Sequence, residues 1–362
     1  MIFRGAKCWT IPSQKTALTF KNAMLRRLAI GDERIAWLRA RRLAGVKAIF
    51  VYPGMDSASF IYQLRRLCRA HKVRLYAYVT EWHSFRHYPA NFGFLQAVDG
   101  ELQRRCLNPM LDGTICFSEH LKEYYVTRGC KASVLPPLLD LSDPKWNTSQ
   151  TTAELQASTG LRFLFSGAAR RDRHDIILRA AHHVRKRGIS IVVEYLGSSR
   201  EDIAALPGVG NELLTTLGDG LVFHGRVPDD QVARITSSAS FGILLRDRAN
   251  WSACCFPSKV PEFLAYRVPM LCNLTSDLGK FLTDGFNSIL INEMSFASVC
   301  ESFERAARLS PEKLADMRLA ARKTAESFDA SLFASVYREF IFGRPREMRA
   351  RPKVMLAPDF TS

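Results

Sequence analysis

The sequence of 362 residues lacks any long uninterrupted apolar run. A helix that crosses a membrane needs about 20 consecutive apolar residues, so we predict no membrane-spanning segment. The first ten residues, MIFRGAKCWT, also lack the apolar core of a secretory signal peptide. We therefore expect a cytoplasmic protein.

Paired cysteine motifs are absent as well. The nine cysteines are scattered without a C-x-x-C, so neither a disulfide framework nor a zinc site is suggested. We expect reduced, mostly buried thiols, because free Cys behaves as a small hydrophobe. There is no D-x-D motif, and Asp229 and Asp230 are placed to begin a helix. No cofactor and no essential metal are expected.

Two common phosphate-binding motifs are missing. The chain has neither a G-x-G-x-x-G that follows a strand nor a G-x-x-x-x-G-K-[ST] loop. This disfavours nicotinamide-dependent enzymes and enzymes that use nucleoside triphosphates.

Acidic residues are scarce, with 35 Asp and Glu against 51 Lys and Arg. The surplus lies in residues 1–135, which hold 22 Lys and Arg and 9 Asp and Glu. Such a surface attracts nucleic acid, anionic lipid or anionic substrates, or it is simply a solvated basic face. Nucleic acid is disfavoured, because the basic residues are not interleaved with aromatics or set in a recognition motif.

What is present, from about residue 48 onward, is an alternation of short apolar runs with helical patterns, which predicts an α/β fold with parallel sheets. The predicted strands are 48–54, 74–81, 113–119 and 132–137 in the first part, and 161–167, 189–197, 221–225, 239–246, 268–273 and 288–291 in the second. An amphipathic helix is predicted at 57–72, with Phe60, Leu64 and Leu67/Cys68 on its apolar face, and further helices are predicted at about 295–309, 311–328 and 330–343.

The stretch 140–160 is poor in apolar residues and indicates a linker or a long surface connection. We predict a basic domain at 1–140, a linker at 141–160, a second domain at 161–330, and a helix with a polar tail at 331–362. Two doubly wound domains face each other across a cleft, and in such sheets ligands bind beyond the carboxyl ends of the strands.

Two strand ends carry residues suited to phosphate. After the strand at 161–167, Gly167 permits a close backbone approach and Arg171 can pair with phosphate oxygens, although the same loop is also an ordinary turn with solvated arginines. In the second region, Ser258 is expected to cap a helix that presents Lys259 to an anion and Glu262 to a diol such as ribose. The alternative there is a capped helix with solvated side chains.

Several ordered segments carry a resemblance to a known family. The run FPSKVPEFLAYRVPML, with NLTSD and DGFNSIL after it, resembles the donor-binding domain of GT-B glycosyltransferases of the large retaining family, glycosyltransferase family 4. The likeness covers roughly 161–330. The first part is similar more loosely, through Tyr52-Pro53, Thr80-Glu81-Trp82, and the segments 118–125 and 135–140.

The resemblance implies two Rossmann-like domains and a hexosyl transfer, with retention, from a nucleotide diphosphate sugar to a glycan or lipid-linked acceptor in cell-surface polysaccharide biosynthesis. It implies that Gly167, Arg171 and Lys259 bind the donor diphosphate and that Glu262, the second Glu of the family's E-x7-E motif, binds the ribose. The first Glu of that motif falls on Cys254, which departs from the pattern.

A second departure lies at the start of the chain. Residues 11–31 resemble the first helix of the family, but no apolar strand or glycine pair precedes them, so the first strand is very short or missing. The candidates for a base that deprotonates the acceptor hydroxyl are Glu81 and His83, which follow a predicted strand. The alternative is that both are structural polar groups.

The basic stretch 15–47 is a candidate membrane-contact surface. The resemblance implies lipid-linked acceptors at the inner face of a membrane, where Arg26, Arg27, Arg41 and Arg42 would rest on anionic headgroups. Two other functions remain open. One is a GT-B epimerase acting on the nucleotide sugar, and the other is a degenerate, non-catalytic relative that binds nucleotide sugar or lipid.

Overall fold

A computed structural model describes residues 2–3, 6–7, 33–40, 43, 45–52, 57–82, 93–147 and 160–343. The chain divides into two compact units, Met1–Leu135 and Pro136–Ser362. The predicted contact residues Arg26, Arg27, Arg41 and Arg42, the candidate base His83, and residues 148–159 of the predicted linker lie outside the described residues.

The first unit contains a parallel sheet of four strands that follow one another in chain order. The strands are β3 (Ala48–Val51), β4 (Arg74–Val79), β5 (Gly113–Cys116) and β6 (Ala132–Val134). Two short strands, β1 (Ile2–Phe3) and β2 (Ala6–Lys7), pair antiparallel with each other and not with this sheet. The helices of the unit are α1 (Glu33–Ala40), α2 (Ala58–Ala70), α3 (Gly93–Leu102) and α4 (Glu119–Val126).

Local sequence explains why α2 forms and which face it buries. The hydroxyl of Ser57 accepts a hydrogen bond from the backbone N–H of Phe60, which caps the first turn. Phe60, Leu64 and Cys68 then recur at helical spacing and are buried against Val51 and Leu75 of the sheet. The predicted amphipathic face of this helix is therefore confirmed.

The second unit contains a parallel sheet of six strands in the order β12-β11-β10-β7-β8-β9. The strands are β7 (Leu161–Ser166), β8 (Ile191–Leu196), β9 (Leu221–Gly225), β10 (Phe241–Leu244), β11 (Met270–Cys272) and β12 (Ser288–Leu290). The helices are α5 (His174–Lys186), α6 (Arg200–Ala204), α7 (Gly210–Leu217), α8 (Asp229–Ser238), α9 (Asn250–Cys254), α10 (Lys259–Ala265), α11 (Phe296–Ala307), α12 (Pro311–Ala325) and α13 (Ala330–Phe342).

The core of this unit is aromatic at its centre. Phe163 of β7 stacks on Phe241 of β10 with ring centroids 5.6 Å apart, and it meets Phe303 of α11 edge to face at 4.7 Å. All three rings are fully buried. Adjacent strands of a buried parallel sheet thus interlock with the helix layer that covers them.

Residues 136–147 form the first part of the second unit and pack against its later segments. The backbone of Leu139 exchanges hydrogen bonds with the turn that leads into α13, at Phe328 and Ala330. Trp146 is buried, donates its Nε1 hydrogen to the Asp140 carbonyl at 2.7 Å, and lies 4.8 Å from the Tyr266 ring. These contacts anchor residues 139–146 within the second unit.

The sequence-based prediction of an α/β fold with parallel sheets is confirmed, and each of the ten predicted strands is present. Of the eight cysteines in the described part, six are buried and all are free thiols, as predicted. None of the helices in that part is long and apolar enough to cross a membrane.

Candidate functional site

The strand order of the second sheet reverses beside β7. This strand pairs with β8, the next strand in the chain, on one side and with β10 on the other. The loops that leave β7 and β10 therefore part from each other, and such a switch point opens a crevice at the carboxyl edge of the sheet.

A cavity of about 260 Å³ lies at this point. Its walls include residues from the ends of β7 and β10 and from the start of α10, among them Gly167, Leu244, Arg246, Pro257, Lys259 and Phe263. The cavity thus brings together three residues that the sequence singled out, Gly167, Ser258 and Lys259.

Gly167 leaves the edge of the sheet open. Its φ of +122° is a conformation that residues with a Cβ rarely adopt, and no atom lies within 4 Å of the position that a Cβ would take. Its N–H donates to the Leu196 carbonyl at 2.9 Å, which fixes the turn. A ligand can approach the backbone closely here.

Lys259 and Glu262 lie one turn apart on α10. The ammonium of Lys259 contacts Oε2 of Glu262 at 2.8 Å, and both side chains are partly exposed. An exposed pair at this spacing contributes only a few tenths of a kcal/mol, about 0.5 at most. A bound anion can therefore replace Glu262 as the partner of Lys259 at little cost in free energy.

Ser258 does not cap α10 as we predicted. The helix begins immediately after it, but its hydroxyl accepts no hydrogen bond from the first turn. The backbone of Ser258 is already helical, with φ −60° and ψ −20°. A side-chain oxygen reaches the amides of the first turn from an extended backbone, and this conformation does not provide it.

Arg171 lies in the short 3₁₀ turn after β7, and it is not among the residues that line the cavity. Its guanidinium carbon is 5.9 Å from the centre of the Trp251 ring. Glu262 likewise lies beside the cavity rather than in its lining.

Arg246 is a cavity residue that the sequence reasoning missed. It follows β10 by two residues and lines the cavity, with Nε 3.4 Å from Oδ1 of Asp172. Asp172 also lines the cavity, and its side chain is 2% exposed. The available signal was position alone, since Arg246 stands at the carboxyl end of a predicted strand.

Burial shifts the pKa of two ionisable groups after β7, Asp172 in the loop and His174 at the start of α5. It raises the pKa of Asp172 to about 6, in spite of the opposing attraction of Arg246 and Arg171. It lowers the pKa of His174 to about 4, and the Nδ1 of this imidazole lies 2.9 Å from the Tyr195 hydroxyl. At pH 7 the histidine is therefore neutral and the aspartate is charged.

Cys254, which stands where the family has its first motif Glu, is completely buried. Its neighbour Cys255 is 3% exposed, and the carbonyl of Cys255 lies 3.5 Å from Nη1 of Arg246. This segment therefore contributes a backbone oxygen near the cavity and no carboxylate.

The predicted acceptor-side residues fall in the first unit or outside the described part. Glu81 follows β4 and is half-buried, beside the aromatic residue Trp82. Within the described ranges, no group of three or more His, Cys, Asp or Glu side chains is placed to hold a metal ion. Metal-independent transfer stays a prediction.

No protein-family model matches this sequence, and no curated protein matches it significantly. The fold does have solved relatives. Sucrose-phosphate synthase of Thermosynechococcus elongatus superimposes with a TM-score of 0.65 at 14% identity, over 90% of this chain and 82% of that one. HepE of Anabaena in complex with UDP superimposes with a TM-score of 0.61 at 11% identity, over 85% of this chain and 80% of that one.

The lipopolysaccharide outer core galactosyltransferase WaaB, in its apo form, gives a TM-score of 0.56 at 12% identity, over 89% of this chain and 82% of that one. These neighbours are GT-B glycosyltransferases. At such low identities the likeness shows the fold. The GT-B fold predicted from the sequence is therefore confirmed.

Proposed function

We propose that this protein is a glycosyltransferase that moves a sugar from a nucleotide diphosphate sugar to a glycan or lipid-linked acceptor. The observation that carries the proposal is the cavity at the switch point of the second sheet, with Gly167 on one side and Lys259 on another. HepE, which shares the fold, has been crystallised with UDP and with UDP-glucose.

The cavity suits the charge that develops in such a transfer. As the bond from the sugar to the diphosphate breaks, negative charge grows on the leaving phosphate oxygens. Lys259 stabilises that charge, and the open backbone at Gly167 admits the diphosphate. When Lys259 turns to the phosphate, Glu262 is released to accept hydrogen bonds from the ribose hydroxyls.

The finer features of the proposal follow the sequence resemblance. We propose transfer of a hexose with retention, no essential metal, and a place in cell-surface polysaccharide biosynthesis within family 4. Glu81 and His83 remain the candidates for the acceptor base. The basic first unit would hold a lipid-linked acceptor or the surface of an anionic inner membrane, with Arg26, Arg27, Arg41 and Arg42 as the contact residues.

A thermal-shift screen against UDP, GDP, ADP and their sugar conjugates tests the donor site. A ligand that binds only the folded chain raises its melting temperature. We expect one nucleotide class to give a shift and Lys259→Ala to reduce it, with a loss of affinity of roughly 10- to 100-fold for a charge-assisted phosphate contact.

Lys280→Ala is the matched control. Lys280 is about as exposed as Lys259 and pairs with Asp277 at the same helical spacing, but it does not line the cavity. An equal loss in both variants would contradict a specific role for Lys259. No shift with any nucleotide would favour the non-catalytic relative, and interconversion of the sugar without transfer would favour the epimerase.

A further inference from the structure

Arg246 occupies a position that the surrounding backbone fixes. Its N–H donates to Oδ1 of Asn273 at 2.9 Å, and its carbonyl accepts from Nδ2 of the same amide at 2.8 Å. Asn273 is completely buried. On the other side, the backbone of Arg246 forms an antiparallel β-bridge with the backbone of Asp172. The backbone N–H of Arg173 donates a hydrogen bond to the Leu245 carbonyl at 2.8 Å.

This arrangement joins the two loops that part at the switch point. The loop after β7 supplies Asp172 and the loop after β10 supplies Arg246, and both residues line the cavity. The backbone of Arg246 is therefore held at the cavity wall by the fold itself, and its side chain is only 16% exposed.

The guanidinium makes only long hydrogen bonds with the protein, and its carbon lies 5.8 Å from the centre of the Trp251 ring. Its contacts with Asp172 and with the Cys255 carbonyl measure 3.4 and 3.5 Å, which is longer than the 2.7 to 3.2 Å, roughly, of a good N–H···O bond. Among the described residues, Nη2 has no hydrogen-bond partner. Since Arg carries five N–H donors, most of the fork is available to a ligand.

The neighbouring arginines are placed differently. Arg173 is engaged by both carboxylate oxygens of Asp175, at 2.9 and 2.8 Å, and by Asp247 at 3.3 Å. Arg170 is exposed, and neither it nor Arg171 lines the cavity. Among the residues that the structure describes, Lys259 and Arg246 are the two cationic side chains of the lining.

We propose that Arg246, whose backbone is bridged to that of Asp172, is the second cation that binds the donor diphosphate together with Lys259, in the role that the family resemblance gives to Arg171. A planar guanidinium fork matches the oxygens of a phosphate group and binds them through two hydrogen bonds. The inference rests on the proposed function, because it assigns a residue of the same site.

Isothermal titration tests the assignment with whichever of UDP, GDP and ADP the wild-type chain binds best. We expect Arg246→Gln to lower the affinity for that diphosphate roughly 10- to 100-fold, because a charge-assisted contact is lost. Arg246→Lys, which keeps the charge without the fork, gives an intermediate affinity. Binding of the matching nucleoside, which has no phosphate, stays at the wild-type level in saturation-transfer NMR.

Arg170→Gln is the matched control and keeps the wild-type affinity. Arg171→Gln loses less affinity than Arg246→Gln. The opposite order, with Arg171→Gln the weaker binder and Arg246→Gln unchanged, overturns the assignment while leaving the proposed function in place. Failure of the wild-type chain to bind any of the three diphosphates overturns both.

Chemical modification of the wild-type chain gives a second measurement that needs no variant to fold. Phenylglyoxal modifies accessible arginines, and peptide mass spectrometry locates the modified residues. We expect the bound diphosphate to protect Arg246 and to leave Arg170 as reactive as before. Equal modification of Arg246 with and without the diphosphate contradicts the proposal.

Discussion

Asp172, in the loop after β7, and His174, the first residue of α5, respond to pH in opposite directions. Between about pH 4 and 6 the folded Asp172 holds a proton that the unfolded chain, with an ordinary value of 3.8, has released. This group therefore lowers the free energy of unfolding as the pH rises through that window. Between about pH 4 and 6.5 the unfolded His174 holds a proton that the folded one lacks, so it raises the free energy of unfolding over the same range.

The two contributions to the free energy of unfolding are each on the order of 3 kcal/mol and have opposite signs, so they oppose each other in the wild-type chain. We predict that Asp172→Asn unmasks the histidine, so that the free energy of unfolding of this variant rises more steeply with pH between 4 and 6.5. His174→Gln unmasks the aspartate and shows the opposite slope relative to wild type. Urea unfolding at several pH values measures both, and curves parallel to the wild type would contradict the assignment.

At the scale of the element, two arginines of α12 cap the C-terminal ends of two other helices. Arg318 donates to the carbonyls of Ala239 and Ser237, at 2.7 and 2.8 Å, at the end of α8. One turn later, Arg322 donates to the Ala265 carbonyl at 3.2 Å, at the end of α10. Cations at helix C-termini donate hydrogen bonds to carbonyls that have no partner within the helix. They also interact favourably with the negative end of the helix dipole.

Burial and the nearby Arg267 lower the pKa of Arg318 to about 10, which leaves the guanidinium charged at pH 7. We predict that Arg318→Met, which keeps the aliphatic volume, lowers the free energy of unfolding by about 2 kcal/mol because two buried carbonyls lose their donor. Chemical denaturation measures the change.

Arg308→Met is the control for this substitution. Arg308 is exposed and pairs with Glu304 on its own helix, so we expect a change below about 0.5 kcal/mol. A similar small change in Arg318→Met would show that the C-terminal caps contribute nothing measurable.

At the scale of the whole molecule, the two units differ in net charge. Residues 1–135, which form the first unit, hold 22 Lys and Arg against 9 Asp and Glu, whereas the second unit is nearly balanced. In the described part of the first unit, Arg66 and Arg69 are exposed on α2. The first unit would therefore be the part attracted to an anionic surface.

We predict that the full chain co-sediments with vesicles containing anionic lipid, that salt weakens this binding, and that neutral vesicles bind less. A variant with Ser at Arg26, Arg27, Arg41 and Arg42 should bind the anionic vesicles more weakly. The matched control replaces four exposed cations of the second unit, Arg226, Arg248, Arg308 and Lys313. Equal binding to neutral and anionic vesicles would count against the proposed membrane contact.

The position of the strands followed from local sequence, because a buried strand must be a short apolar run between helical patterns. The ten predicted runs became strands, and Gly167 and Lys259 were found because each follows such a run or opens the next helix. Ser258 was predicted as a helix cap from its residue type. The structure shows no cap there, because the backbone of Ser258 is already helical.

The sequence by itself determined the α/β fold and placed Gly167, Ser258 and Lys259 at the candidate site, since apolar periodicity and glycine placement act over a few residues. The GT-B fold was predicted from the resemblance of several ordered segments to a known family. Only the tertiary structure decided which arginine faces the cavity. Arg171 and Arg246 are far apart in the chain, and the choice depends on the pairing of β7 with β10 and on the buried contacts of Asp172 and Asn273. Such long-range pairings bring distant residues together, and no local pattern records them.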